Sequence, residues 1–270
     1  MDGNKIKSLG AFDVLFNKSV PHILEKIFFS LDYDSFVSCG KVCKTWNYLL
    51  SSESYHARSE EMLLKKQKNE EDLCYHSSYG GRSKIDEIKD LISSGVDPNC
   101  KRGTPLYYAT SNGNSEVVKI LLDGGAEPNL ANSKGITPLY SAASWHSTSF
   151  DMVKQLLHAG ALPNIPNKSG VTPLGRAVLF EYDINVVKLL LDSGADPNMT
   201  NHEGGTPLHT AALWETDNTE VVKLLLDAGA DPNKVNDDGL TPLQVALSRG
   251  NLDVVRLFHG AGAPMTASDH

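Results

Sequence analysis

Long apolar runs are the first thing this chain lacks. No stretch of its 270 residues approaches the roughly 18 apolar residues that a membrane-spanning helix requires. Met1–Phe16 carries no apolar core of the kind that directs secretion, so no leader is expected. Cysteine is scarce. The four present (Cys39, Cys43, Cys74 and Cys100) are too few and too irregularly spaced for a disulfide framework. Cys39 and Cys43 lie one helical turn apart, without a second Cys or His pair near enough to complete a zinc site, so they read as structural and no metal is expected. That usage fits a reducing compartment, cytoplasmic or nuclear.

Catalytic signatures are missing as well. H-E-x-x-H, the Walker loop and G-x-S-x-G are absent. The nine histidines are scattered, none paired with Cys or a carboxylate at ligand or triad spacing. No catalytic residue, no cofactor and no enzymatic activity are expected. Basic charge is also short where it would matter: residues 71–270 hold 15 Lys+Arg against 24 Asp+Glu, whereas residues 1–70 hold 10 against 9. An acidic body is a poor partner for phosphate backbones and anionic bilayers, which argues against nucleic acid and membrane as partners.

What the chain has instead is repetition. Thr104-Pro105-Leu106-Tyr107-Tyr108-Ala109 returns at 137–142, 172–177, 206–211 and 241–246, a spacing of 33 to 35. An apolar run and a Gly-Ala-x-Pro-Asn tail follow the first four copies, ending at Asn129, Asn164, Asn198 and Asn233. This pattern resembles ankyrin repeats. Its chemistry is legible in the letters. Thr caps a helix by accepting from a first-turn N–H, and Pro at the next position loses nothing by lacking its own. Leu106 and Ala109 share a face, and the small Ala admits a neighbouring helix. Val117–Leu122 is apolar around most of its circumference, as a helix buried between neighbours should be. Gly125 supplies a left-handed C-cap, Pro128 forbids continuation, and Asn129 opens turn chemistry before the next Thr.

Six units are expected over residues 72–268, the first and last degenerate, as the ends of a stacked array should be. In unit one, Cys74–Tyr79 takes the place of T-P-L-x-x-A when aligned on its tail, and four residues (Cys100–Gly103) separate Asn99 from Thr104. From the Thr to the second helix the offset is 13 in units two and six, but 15, 14 and 15 in units three to five. The ninth position reads Asn112, Trp145, Phe180, Trp214 and Arg249, so an aromatic accompanies each insertion. Those rings either seal their own lengthened loops or anchor a ligand. The residue after T-P-L is commonly His in ankyrin repeats; here His209 keeps it, with Tyr107, Tyr140, Gly175 and Gln244 elsewhere. The first-helix surface varies from unit to unit (Tyr107, Tyr108, Ser111, Tyr140, Arg176, His209, Gln244), and by resemblance it is the contact face. Candidate substrate-binding residues are therefore Tyr107, Tyr140, Trp145, Phe180, Arg176, His209 and Trp214.

Ahead of the repeats, Ile23, Leu24, Ile27, Phe28 and Leu31 make one face of an amphipathic helix. A short second helix around Ser35–Cys39 and a third through Val42, Cys43, Trp46, Leu49 and Leu50 follow. Three short helices of this size bury little and need a partner, so their surplus apolar surface argues for docking. The spacing from Leu31 through Phe36 to Val42-Cys43-Lys44-x-Trp46 resembles an F-box over residues 19–58. At its front Pro21 stands one residue later than the family's Leu-Pro. The resemblance implies docking on the adaptor subunit, and through it the cullin, of an SCF-type ubiquitin ligase, by Pro21, Ile23, Leu24, Ile27, Leu31, Val42, Cys43, Trp46 and Leu49. A tail (1–18) precedes this segment, and a charged, helix-favouring linker without Gly or Pro (59–71) follows, suited to holding the two parts at a set distance. The whole reads as an all-α chain, a three-helix F-box followed by an ankyrin-repeat solenoid. The function implied is a substrate-recognition subunit for an unknown protein substrate. The alternatives are a non-catalytic scaffold or a pathogen or symbiont effector recruiting a host ligase.

Overall fold

The computed structural model describes residues 53–79, 84–144, 149–180, 183–214 and 218–263. The chain divides into two compact units, residues 1–69 and 70–270. Every adaptor-contact residue expected from the F-box resemblance lies outside the described residues. Helix α1 (Glu53–Tyr79) includes the charged stretch 59–71, where Leu, Lys, Glu and Gln are all good helix formers.

Eleven further helices follow, and among the described residues there is no strand. Helix α2 (Ile85–Ser93) completes unit one. The pairs α3 (Cys100–Ser111) and α4 (Ser115–Asp123), α5 (Pro138–Ala142) and α6 (Ser149–His158), α7 (Pro173–Phe180) and α8 (Ile184–Asp192), α9 (Pro207–Ala212) and α10 (Thr219–Asp227), and α11 (Pro242–Arg249) and α12 (Leu252–Gly260) make units two to six. First helices pack in a row, α3 to α11, and second helices in another, α2 to α12. Between the rows runs one apolar core. The Leu of every T-P-L (Leu106, Leu139, Leu174, Leu208, Leu243) is fully buried in it, beside Val118, Leu121, Leu156, Val187, Leu190 and Leu225.

The Thr caps form where expected in units three to six. The Oγ1 atoms of Thr137, Thr172, Thr206 and Thr241 accept from the N–H of Tyr140, Gly175, His209 and Gln244 at 3.2–3.4 Å. Thr104 departs from the expectation. With so few residues after Asn99 there is no room for a finger, so α3 begins at Cys100 and carries Thr104 and Pro105 inside it. Pro105 has no N–H for the Lys101 carbonyl one turn earlier, and the Thr104 hydroxyl donates to that carbonyl instead. Unit one also differs in register. Leu73, not a residue of Cys74–Tyr79, is buried as completely as Leu106, and Ser77 is buried as Thr110 is. The first-helix pattern therefore starts three residues earlier than the tail alignment gives. Cys74 and Cys100 are free and buried in the same core. Cys100 Sγ donates to Glu70 O at 3.9 Å, and the neighbouring Cys74 thiol, with burial, holds the Cys100 thiol well above its usual range.

Three repeated devices set the spacing of the units. Each second helix ends in a left-handed glycine: at Gly125 (φ +91°) the N–H bonds back to Leu122 O and that of Ala126 to Leu121 O, a double closure repeated at Gly95, Gly160, Gly194 and Gly229. The tail asparagines then form a ladder between units. Asn99, Asn129, Asn164 and Asn198 each donate from Nδ2 to the capping-glycine carbonyl of the next unit (Gly125, Gly160, Gly194, Gly229) at 2.9–3.1 Å. Each also accepts at Oδ1 from the N–H two residues beyond that glycine, at 2.7–2.8 Å. Finally, Asn132, Asn167, Asn201 and Asn236 fold the fingers, each Oδ1 accepting two N–H groups of its own loop.

Candidate ligand-binding surface

The ladder, the caps and the core use most positions of each unit for stacking. Those left on the first-helix face are the fifth and the eighth. The fifth reads Tyr108, Ser141, Arg176, Thr210 and Val245, the eighth Ser111, Ser144, Leu179, Leu213 and Ser248. At the eighth position three units present a hydroxyl, and units four and five present Leu179 and Leu213, 37% and 44% exposed. Two large apolar side chains in adjacent units, on a face where the other units have serine, make this a candidate contact surface.

Arg176 stands beside them. Its Nε donates to Ser144 Oγ at 2.7 Å, and its guanidinium lies over the Tyr140 ring, 5.4 Å from the centroid. Gly175 stands at the family's His position, where a Cβ would meet the side chains of Val171 and Thr172. Toward unit two the face continues through Ser141 Oγ, 3.0 Å from Ser111 Oγ, to the paired rings of Tyr107 and Tyr108, whose centroids are 5.7 Å apart.

The sequence-derived candidates fall into different roles. Tyr107 is half-buried and Arg176 is half-buried, and both border this face. Tyr140 is 7% exposed, its hydroxyl accepting from Asn167 Nδ2 of the next finger at 3.1 Å. His209 is 5% exposed. Its Nδ1 accepts from Thr206 N at 3.2 Å, which places the proton on Nε2, and Nε2 donates to Leu240 O of unit six at 2.9 Å. Burial holds the His209 ring below its usual pKa. These two side chains join units together and present no ring face to solvent. Trp214 is half-buried, its indole N–H buried with no hydrogen-bond partner among the described residues, and its carbonyl accepts from Asn251 Nδ2 at 3.1 Å. Trp145 and the side chain of Phe180 lie outside the described residues. The structure thus brings together Tyr140 and Arg176, and adds Ser111, Ser141, Ser144, Leu179 and Leu213. The signal for the two leucines was in the sequence: apolar letters at a position otherwise filled by serine.

No group of three or more His, Cys, Asp or Glu suited to a metal ion occurs among the described residues. None of the described helices is long and apolar enough to cross a membrane.

Two rows of short helices, offering a face that varies while the ladder beneath it repeats, define a stacked-repeat interaction module. The family model for ankyrin repeats matches residues 73–167 and 174–269, and the F-box domain model matches residues 20–58. The chain belongs to the ankyrin-repeat proteins and carries an F-box domain ahead of the array. Both are families of adaptor and interaction modules. A Rickettsia bellii protein named for its ankyrin repeats is 49% identical over 51 residues, 19% of this chain and 19% of its own length. An ankyrin repeat-containing protein of Schizosaccharomyces pombe is 37% identical over 60 residues, 21% of this chain and 29% of its own. An ankyrin repeat protein of Fowlpox virus is 32% identical over 65 residues, 23% and 9% respectively. The chain thus spans between 9% and 29% of these curated relatives. The crystal structure of an ankyrin repeat domain from Acinetobacter baumannii superposes with a TM-score of 0.64 at 29% identity, covering 71% of this chain and 98% of that one.

Proposed function

We propose that the chain is the substrate-recognition subunit of an SCF-type cullin-RING ubiquitin ligase. In this reading Pro21, Ile23, Leu24, Ile27, Leu31, Val42, Cys43, Trp46 and Leu49 dock the adaptor, and the array holds a protein substrate. The observation that carries it is the order of parts: an F-box match at 20–58 ahead of a repeat array whose first helices expose Leu179 and Leu213. The ligase's catalysis resides in other subunits, so this chain requires no chemistry of its own. Its substrate contacts centre on the first-helix face, with Tyr107, Arg176 and the two leucines, together with Trp145, Phe180 and Trp214 at the ninth position of their units.

Affinity purification of the full chain from cells, beside a Leu24→Ala/Trp46→Ala variant, tests this. Adaptor and cullin should accompany the wild-type chain and be lost from the variant. If neither accompanies the wild type, the ligase reading fails. Retrieval of the adaptor without the cullin would identify a scaffold instead.

A further inference from the structure

Each finger of units three to six ends in two exposed residues that follow the loop-folding asparagine: Ser133-Lys134, Lys168-Ser169, His202-Glu203 and Asp237-Asp238. Backbone bonds tie these tips into a line: Lys168 N to Lys134 O at 3.1 Å, His202 N to Ser169 O at 3.0 Å, and Asp237 N to Glu203 O at 3.0 Å. Along that line the charge changes sign once. Lys134 and Lys168 occupy the first half, Glu203, Asp237 and Asp238 the second, and no ion pair among the described residues involves any of them.

Stability does not account for this order. Alternating signs on neighbouring tips would attract, whereas like beside like repels, so the sorted arrangement costs the fold a little. Nor do the halves cancel. Successive units are spaced by roughly 8–10 Å, so the two aspartates lie about 16–20 Å from Lys168 and about 24–30 Å from Lys134, beyond the ~8 Å Debye length of physiological salt. The edge therefore presents a positive field followed by a negative one.

We propose that this edge takes an extended protein segment in one direction, its acidic end over Lys134 and Lys168 and its basic end over Glu203, Asp237 and Asp238. The inference rests on the reading of the array as the substrate-holding part, and it names the class of segment held. Three inter-tip steps amount to about 25–30 Å, which an extended chain covers in about eight residues. Nucleic acid does not fit, since the acidic half repels its backbone.

Panning the immobilised full chain against a random-peptide display library of about that length tests the proposal. Enriched sequences should carry Asp or Glu towards one end and Lys or Arg towards the other. A fourfold variant (Lys134→Glu, Lys168→Glu, Asp237→Lys, Asp238→Lys) keeps like beside like, so its unfolding midpoint should be unchanged while the enriched order inverts. Lys134→Glu/Lys168→Glu alone makes the edge uniformly acidic and should select basic residues at both ends. Each exposed ion pair is weak but several change together, so a synthetic segment in the favoured order should bind wild type roughly tenfold more tightly than its charge-inverted counterpart. That difference should shrink as salt rises. Enrichment without charge order, an order indifferent to the reversals, or no enrichment would overturn the proposal. Adaptor capture through the F-box is a separate readout. A chain that retrieves the adaptor but shows no charge order loses this inference alone, and one with charge order but no adaptor loses the ligase reading alone.

Discussion

Replacing Asn164 with alanine cuts the ladder in the middle of the array, between units three and four. The side chain makes two bonds to the next unit, Nδ2 to Gly194 O at 2.9 Å and Oδ1 from Asp196 N at 2.8 Å. Each is worth about 0.5–1.5 kcal/mol net, and because the bonds are exposed, water replaces part of what is lost. The expected cost is therefore about 1–2 kcal/mol. Asn233 supplies the control. It occupies the same place one unit from the end, but the residue two beyond Gly262 is Pro264, which has no N–H to donate. Asn233→Ala forfeits at most one such bond and should cost about half as much or less. In an array held by nearest-neighbour coupling, a mid-array break also loosens cooperativity, so Asn164→Ala should lower the urea m-value as well as the midpoint. Urea unfolding followed by far-UV circular dichroism on the full chain reads both quantities. Equal losses in the two variants, or a loss for Asn164→Ala below about 0.3 kcal/mol, would refute the assignment of coupling to the ladder.

Two further outcomes follow from single side chains. Burial holds the His209 ring below the roughly 6.5 of an unfolded chain, so on acidification the unfolded state takes up the proton first. Its contribution is complete above about pH 6.5 and declines as pH falls towards the folded value. Unfolding midpoints across that window should show the slope, and His209→Gln should flatten it. Gln244 already makes the same cap in unit six, its Oε1 accepting from Thr241 N at 2.9 Å. A slope as steep in His209→Gln would assign the effect elsewhere. Gly170 has φ +79°, and a Cβ there would come within 2.8 Å of His202 N in the next finger, whereas a Cβ on Gly160, at φ +88°, meets nothing within 4 Å. Both alanine variants carry the left-handed penalty of about 1–2 kcal/mol, and Gly170→Ala should exceed Gly160→Ala. Equal thermal shifts would show that the fingers are not in close contact.

Local chemistry was the legible part of the sequence. Thr137, Thr172, Thr206 and Thr241 cap their helices because a cap is decided by the three residues after it. Gly125 and its equivalents close theirs for the same reason. Thr104 was misread because its role depends on what precedes it, and the missing finger lets α3 start early. Unit one was misplaced by three residues because alignment on the tail assumes a constant loop length between helices. Asn129 read as turn chemistry, yet its partners lie in the following unit, a relation that spacing alone does not reveal. Tyr140 and His209 belong, by resemblance, to the varying first-helix surface. The fingers of the next units cover them, and a single unit read by itself has no next unit.

The repeat therefore divides its own sequence between two uses. Leu174, Thr172, Gly194 and Asn164 are answerable to stacking, and a change at any of them is felt by the neighbouring unit. The fifth and eighth positions and the finger tips are less bound by it: Ser111 and Ser141, and Ser144 and Arg176, do bond between units and Val245 is buried, but Leu179, Leu213 and the charged tips make no cap or ladder bond. Yet those are the places where this chain departs from the pattern of its own other units: leucine for serine at 179 and 213, arginine at 176, and charges sorted along the tips. A neutral drift of solvated positions would tend to scatter polar letters. It would not place two apolar side chains side by side or collect one sign of charge at each end. The departures cost solubility and some repulsion, and nothing in the stacking of the units requires them.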